Sequence, residues 1–547
     1  MKTLKLKNSF LVVIGSLLGS YLYLVPFFYD KKMRVGNFLE RDLNFHLSRL
    51  YGIGHAFSNP INYISFKGVG HGVNYFYPWL TFYPAYIFYK LFNNGTFSLI
   101  FFLFLLTFFT FITSYYSCKA AFKNNKAAAI FSILYTFSGY RAVDVFQRCD
   151  IGEIIAITFF PIILLSFYKI IIKYDFDYWL LLSLSFSLVI YSHVLSAVFL
   201  AFTLLLLLIC LWANLEYKRT LLIKISESAL LTIGLTSFYW LPMLQQMRFI
   251  EINPPAIRDL NFTALDLSWL INNSLNNSIN IGGAILGLVL LTVFVVSSSR
   301  LKVEGYTYRV VWLITVVLIL LSTKLFPWSL LQNTPLKIIQ YPWRFLEVAT
   351  LLISAIGAWL LKDTKTKNII LLLFLSLSIN TSISFNITKE SWFSVDKNTF
   401  MSSVIGKESL DYYPIISAGQ NKDSIGNKEF VVNGKTKKVP FVASDTHVTI
   451  PVSPNKDGKF LNTPFLKYLG VHATIDGKET KVKTSNRGTV QLYVPKNSKK
   501  IIITSRYTRL GNVAKLISVF SLAALIFLYL RKIYQKHDKS KSPVIKS

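Results

Sequence analysis

The stretch FSLIFFLFLLTFFTFITSYY, residues 97–116, carries no charged side chain over its 20 residues. At 1.5 Å per residue a helix of that length matches the bilayer's hydrocarbon core, about 30 Å thick, so the run reads as a membrane span. Working outward, similar runs recur at approximately Phe10–Phe28, Ala127–Phe137, Ile154–Phe167, Trp179–Tyr191, Leu195–Ala213, Leu221–Trp240, Ile281–Val296, Val310–Leu321, Phe345–Leu361, Ile369–Ile379 and Val513–Leu530. Hydrophobic residues make up 53% of the chain and the mean hydropathy is +0.45. The fold class is therefore a mainly α polytopic membrane protein with about twelve transmembrane helices.

Basic residues set the orientation. If Trp79–Phe92 lies along the membrane surface rather than across it, Lys2/Lys5/Lys7, Lys119/Lys123/Lys126, Lys169/Lys173, Lys218/Arg219, Arg300/Lys302, Lys362/Lys365/Lys367 and the tail from Arg531 all fall on one side. That arrangement satisfies the positive-inside rule, with both termini cytoplasmic. Phe10–Phe28 then serves as an uncleaved anchor, since it is long for a signal-peptide core and lacks a small-residue cleavage site.

Three parts follow: a membrane module over residues 1–380 with a first outside loop at 29–96, an outside domain at 381–511, and a final span with a basic tail at 512–547. The outside domain alternates as strands do at Glu429–Asn433, His447–Pro451, Thr489–Val494 and Lys500–Thr504. It also carries the turn pairs Asn433-Gly434, Asp457-Gly458 and Asp476-Gly477. From Lys389 to Arg509 it holds 20 Lys and Arg against 10 Asp and Glu, within a chain of net charge +31. Attraction to an acidic polymer or anionic head groups accounts for such a balance, and so does a lysine-rich proteome. The three cysteines, Cys118, Cys149 and Cys210, form no pairing framework.

Chemistry concentrates in the gaps between spans. On a helix, Asp42, His46 and Arg49 share one face at i, i+4 and i+7, while Leu39, Leu43, Leu47 and Leu50 tend toward another. A carboxylate held there accepts a hydroxyl proton if partial burial raises its pKa; a plain amphipathic surface helix gives the same pattern. The turn Ser138–Glu153 carries Arg141, Asp144, Arg148, Asp150 and Glu153. Its arginines suit a phosphate and its carboxylates suit sugar hydroxyls, or the group is an interfacial salt-bridge cluster. Gln340-Tyr-Pro-Trp343-Arg344 precedes a span at head-group depth, where arginine binds lipid phosphate in general or one particular lipid. His193 sits at the outer end of another span. No phosphate-binding Gly loop, HExxH, GxSxG or Cys/His zinc spacing is present, which disfavours a nucleotide-driven pump or a zinc protease.

Taken in order, Asp42-Leu-Asn-Phe-His46, Tyr140-Arg-Ala-Val-Asp144, Arg148-Cys-Asp-Ile-Gly-Glu153, Phe238-Tyr-Trp-Leu-Pro242 and Gln340-Tyr-Pro-Trp-Arg344 resemble YfhO-type bacterial membrane proteins. These overlap the family labelled 6-pyruvoyl-tetrahydropterin synthase-related and look like the GT-C class of membrane glycosyltransferases. The resemblance implies transfer of a sugar from a polyprenyl-phosphate donor to a cell-envelope acceptor such as a teichoic acid, on the extracellular face, with inversion. It maps the catalytic base to Asp42, with Glu40 in reserve, and carrier-phosphate binding to Arg148, Arg141 and Arg344; His46, Arg49, Asp144, Asp150, Glu153, His193 and Trp343 are the further substrate-binding candidates from the residues themselves. Glu40-Arg-Asp42 is neither an adjacent acidic pair nor an Asp-x-Asp, so a divalent metal is possible but not indicated, and no other cofactor is expected. The expected partners are the lipid-linked donor, an anionic envelope polymer and the bilayer, without nucleic acid. The alternatives are a flippase for lipid-linked saccharides and a non-catalytic envelope scaffold.

Overall fold

The computed structural model describes residues 2–27, 34–36, 42–278, 283–389, 392–394, 409–452 and 458–541. Among them, seven helices are long and apolar enough to cross a membrane: Ser9–Phe27, Gly95–Phe122, Ile151–Ile172, Val194–Asn214, Pro342–Leu361, Thr366–Ile383 and Arg509–Gln535. Shorter apolar helices fill the spaces between them at Phe176–Ile190, Leu288–Arg300 and Tyr306–Leu321. Pro342–Leu361 is the most enclosed of the long helices and packs against Asn125–Thr136, Leu288–Ser297 and Tyr306–Leu321.

Two apolar runs differ from their sequence reading. Leu221–Trp240 is not one straight span: Lys218–Leu235 and Ser237–Phe249 meet at a 67° bend. A break frees backbone donors. Here Ser518 of the last helix accepts the Phe238 N–H at 2.9 Å, so the bend is paired internally. Ile281–Val296 becomes helical only at Leu288; Gly287 takes φ +86°, and the Leu286 carbonyl accepts the Gly139 N–H at 3.0 Å. That extended piece thus packs against the turn bearing Arg141 and Arg148.

The ambiguous stretch near residue 79 forms the helix Tyr83–Phe92. Its ten residues reach about 15 Å, half a hydrocarbon core. Asn93, left-handed at φ +48°, ends it, and Asn94 caps the next helix by accepting the Phe97 N–H at 3.0 Å.

After the helix Thr366–Lys389 the chain builds two five-stranded antiparallel sheets. One joins Lys483–Thr484, Thr489–Val494, Lys459–Leu466, Phe430–Val432 and Lys435–Lys437 in that order. The other joins Val442–Ala443, His447–Pro451, Lys500–Ser505, Val471–Ile475 and Lys478–Thr480. The hairpin turns are Asn433-Gly434 and Asp476-Gly477, each with both residues at positive φ; Asp457 lies outside the described residues.

These sheets are docked onto the first loop rather than appended to it. Asn59 donates to the Thr446 carbonyl at 2.8 Å, Tyr507 to that of Ala56 at 2.9 Å, and Tyr75 to that of Leu469 at 3.1 Å. Gln246, at the end of the bent helix pair, exchanges two bonds with the Leu469 backbone, both 3.0 Å. First-loop residues Leu43, Leu47 and Tyr63 share one hydrophobic core with Phe430, Phe465 and Tyr468.

Gly470 lies beside that junction at φ +87°, and a Cβ there would stand 2.1 Å from the Arg506 carbonyl oxygen. Gly470→Ala is expected to cost about 1–3 kcal/mol and lower the unfolding midpoint, measured by thermal melts in detergent.

Candidate active site

A recessed cavity of about 1140 Å³ opens where the first loop, the Ser138–Glu153 turn, the segment before Phe345 and the leading edge of the β domain converge. Of the sequence-derived candidates, Asp42, His46, Arg148, Asp150, His193, Trp343 and Arg344 line it. Arg49, Arg141, Asp144 and Glu153 do not line it, and Glu40 lies outside the described residues.

Arg148 is the hub. It emerges from a π-helical turn, Val143–Arg148, in which Asp144 stands four residues before it. Its Nη1 donates to Asp144 at 2.5 Å and to Glu153 at 2.9 Å, and its Nη2 donates to Asp150 at 2.8 Å. Its Nε lies 3.7 Å from Asp42. The guanidinium also packs 4.8 Å from the centroid of Trp343. A second arginine, Arg344, places Nε 3.6 Å from Glu153, and Tyr140 donates to the other Glu153 oxygen.

Fully charged, these four carboxylates would outnumber the two guanidiniums. Burial answers part of the imbalance by pushing Asp144 well above the usual carboxylate range, with the neighbouring Glu153 adding to the effect. Asp42 is 47% exposed to the cavity, yet it is recessed among protein atoms. Desolvation and the charge of Asp150 raise it to about 6, against the pull of Arg148 and Arg344. Burial also acts to raise Asp150, but the His46 hydrogen bond and the Arg148 charge hold it well below its usual value. The site therefore contains one carboxylate poised near neutrality and another held ionised beside it.

The helix Asp42–Gly52 buries Leu43, Leu47 and Leu50 within the protein rather than against lipid. His46 Nε2 stands 3.4 Å from Asp150, and its Nδ1 faces Arg49 Nη1 at 3.3 Å. A guanidinium only donates, so Nδ1 accepts and the ring proton sits on Nε2, aimed at Asp150. Burial lowers the His46 pKa to about 4, which keeps that tautomer neutral. Arg49 is itself held from behind, donating to the Pro78 carbonyl and lying 4.1 Å over Tyr77. Arg141 is buried elsewhere, donating to Thr107 at 2.8 Å and facing Tyr23 at 4.7 Å.

His193 caps the Val194–Leu211 helix, accepting the Ser196 N–H at 3.3 Å. Ser196 connects it at 2.8 Å to Glu347 at 2.8 Å. One ligand atom each from Asp150, Glu153 and His193 fall within 4.8 Å of one another, a spacing that suits a divalent cation. Arg148 already holds Asp150 and Glu153, so a metal there requires its displacement.

Sequence reasoning missed several other lining residues. Arg258 and Lys337 bring positive charge to the cavity, and Asp411 and Tyr412 reach it from the β domain. Tyr412 stacks on Phe76 at 5.5 Å and 7°. The segment carrying it is stitched to residues 251–253 by Tyr412 N–H to Asn253 at 2.8 Å, Asn253 N–H to Tyr413 at 2.7 Å and Ile415 N–H to Glu251 at 2.9 Å. The extended Asn253-Pro-Pro255 strap was the available signal for Arg258.

The family model described as "6-pyruvoyl-tetrahydropterin synthase related domain; membrane protein" matches residues 73–389, more than half of the chain. The chain belongs to that family. The matched span of this family member includes the whole Arg148 hub apart from Asp42. Solved structures similar to it include the arabinofuranosyltransferase AftD from Mycobacteria, at 13% identity and a TM-score of 0.46, covering 71% of this chain and 27% of that one. Another is ArnT from Cupriavidus metallidurans bound to undecaprenyl phosphate, at 10% identity and 0.38, covering 73% and 77%. The apo oligosaccharyltransferase of Archaeoglobus fulgidus gives 10% and 0.39, covering 76% and 57%. The chain thus spans about a quarter of AftD and just over half of the archaeal enzyme. No curated protein matches the chain.

Removing Arg148 would leave Asp144, Asp150 and Glu153 buried without their main counter-ion. Arg148→Gln is expected to cost about 3–5 kcal/mol in unfolding stability, measured in detergent. Adding Asp144→Asn should restore part of that loss.

Proposed function

We propose that this membrane protein is a glycosyltransferase that moves a sugar from a polyprenyl-phosphate donor to a cell-envelope acceptor. The observation that carries this reading is the cavity itself. It holds Asp42, a carboxylate raised to about 6, together with Arg344, Arg258 and Lys337. A proton acceptor sharing a cavity with three cationic side chains suits displacement of a phosphate from an anomeric carbon.

In the proposed step, Asp42 takes the proton of the acceptor hydroxyl as its oxygen bonds to C1 of the sugar. The C1–O bond to phosphate breaks, and the electron pair leaves on the phosphate oxygen, where Arg344, Arg258 and Lys337 stabilise it. Attack opposite the leaving group inverts C1. Arg148, committed to three hydrogen-bonded carboxylates, acts as a positioning residue, and His46 and Arg49 orient Asp150. Glu40 is the reserve acid of the same loop.

The membrane module 1–380 supplies most of the cavity in this reading, and the β domain at 381–511 faces the cell exterior with the cavity. The segment 512–547 is the final span with its basic cytoplasmic tail, and both termini are cytoplasmic. Lys435, Lys437, Lys478 and Lys483 stand on short edge strands of the β domain, and its excess of basic residues suits an anionic acceptor such as a teichoic acid.

Because the ionised carboxylate is the active form, kcat/KM should rise with pH through about 6 and level above it. Asp42→Asn should lose about 10²–10⁴-fold in transfer while still binding prenyl phosphate. Wild-type rates in Asp42→Asn, or a flat profile from pH 5 to 8, contradict the role.

A further inference from the structure

Two stretches between spans, 256–263 and 323–339, have little regular structure yet expose apolar side chains. Phe262 is 83% exposed, Leu330 74% and Leu325 62%, and Ile257, Leu336 and Ile338 are exposed as well. Single exposed apolar residues are ordinary, but six on adjoining segments mark a contact surface. The stretches adjoin because the short helix Leu260–Thr263 packs against the turn Trp328–Leu331, which packs in turn against Pro335–Ile339.

Their irregular backbone is closed from within. Gln332 accepts the Leu260 N–H at 2.8 Å and donates to the Arg258 carbonyl at 3.1 Å. Gln340 donates to the Ala256 carbonyl at 3.0 Å, and Thr263 donates to that of Gln340 at 2.7 Å. The Asp259 carboxylate accepts the Phe262 N–H at 2.7 Å, and the Leu321 carbonyl accepts the Trp328 indole N–H at 3.0 Å. Two backbone bonds join the stretches' flanks, Leu265 N–H to Ser322 at 3.1 Å and Lys324 N–H to Leu265 at 2.9 Å. A loop in water can leave such groups to the solvent, whereas one against hydrocarbon must pair them internally.

The neighbouring helix identifies the medium. Tyr306–Leu321 has 16 residues and reaches about 24 Å, short of a hydrocarbon core of about 30 Å. It exposes Tyr306, Leu313 and Leu320 at steps of seven, a single stripe that faces lipid. Leu325 follows Leu320 by five residues, so the stripe leads directly into the exposed surface, where the helix alone would leave part of the bilayer uncovered.

We infer that 256–263 and 323–339 form one platform seated in the membrane interface, in the leaflet on the cavity's side, with Phe262, Leu325 and Leu330 among the acyl chains. Its partner is lipid hydrocarbon rather than a second copy or another protein, because the surface is continuous with a lipid-facing stripe. Two of its charges are engaged within the protein, Lys324 donating to Asp266 at 3.0 Å and Arg258 interacting with Asp411. Interfacial elements sit at that depth, with apolar side chains in the acyl boundary and polar groups at head-group level. The inference concerns the bilayer and is independent of what the cavity transfers.

The test is carbene labelling of the full chain in phosphatidylcholine nanodiscs, read by peptide mass spectrometry. One diazirine is carried at the head-group end of a phospholipid acyl chain, and a second, used separately, is water-borne. The lipid probe is expected to label 256–263 and 323–339 as strongly as 509–530. It should spare 459–466 and 489–494, whose Phe460 and Tyr493 are more than half exposed on the β domain. The water-borne probe should do the opposite. Phe262→Asn with Leu330→Asn removes little packing, given those exposures, and should raise water-borne labelling of the two stretches about tenfold. Lipid labelling of the stretches no stronger than that of 459–466, or a double variant as shielded as the wild type, overturns the inference. So does shielding from both probes, which assigns the face to another polypeptide. Neither probe needs turnover, so a protein that transfers no sugar still decides the question.

Discussion

The guanidinium of Arg148 sits among four carboxylates from separate parts of the chain: Asp42 of the first loop, Asp144 and Asp150 of its own turn, and Glu153 of the span that follows. Buried charges of one sign do not assemble without a counter-ion at their centre, so this contact decides whether the first loop, the turn and the span can meet at all. Everything chemically distinctive about the cavity follows from it. Asp150 stays ionised because His46 and Arg148 hold it; Asp42 rises because it is desolvated among protein atoms and Asp150 is ionised nearby. The same engagement commits Arg148 to hydrogen bonds with three carboxylates.

Around this hub the molecule is built in shells. The His46 tautomer depends on Arg49, and Arg49 depends on Tyr77 and the Pro78 carbonyl. Gly152 allows that closeness, since a Cβ there would stand 2.3 Å from the Tyr77 hydroxyl and 3.0 Å from the Ser192 carbonyl. The β domain closes the far side with Asp411 and Tyr412, and its core is continuous with that of the first loop. Domain and membrane bundle therefore share the cavity.

Local periodicity made much of this legible. Every long apolar run fell on a helix, though Leu221–Trp240 bends and the helical part of Ile281–Val296 starts at Leu288. The i, i+4 spacing of Asp42 and His46 put both on the cavity wall; Arg49, three residues further, was drawn behind it by an aromatic ring no spacing rule could foresee. Asn433-Gly434 and Asp476-Gly477 announced their hairpins because left-handed turns need those residues. Arg258, Lys337 and Tyr412 stayed hidden. They share a cavity with Asp42 only through chain folding across hundreds of residues, and apart from the Asn253-Pro-Pro255 strap before Arg258 nothing in their immediate sequence marks that meeting.

The proposed glycosyl transfer rests on a proton acceptor and cationic side chains gathered in one cavity. The most direct measurement is the anomeric configuration of product formed by the reconstituted protein from a β-linked polyprenyl-phosphate sugar, read from the one-bond C1–H1 coupling by NMR. The account predicts an α-linked product with release of polyprenyl phosphate. A β-linked product, or no product from any polyprenyl-phosphate sugar offered, would contradict it.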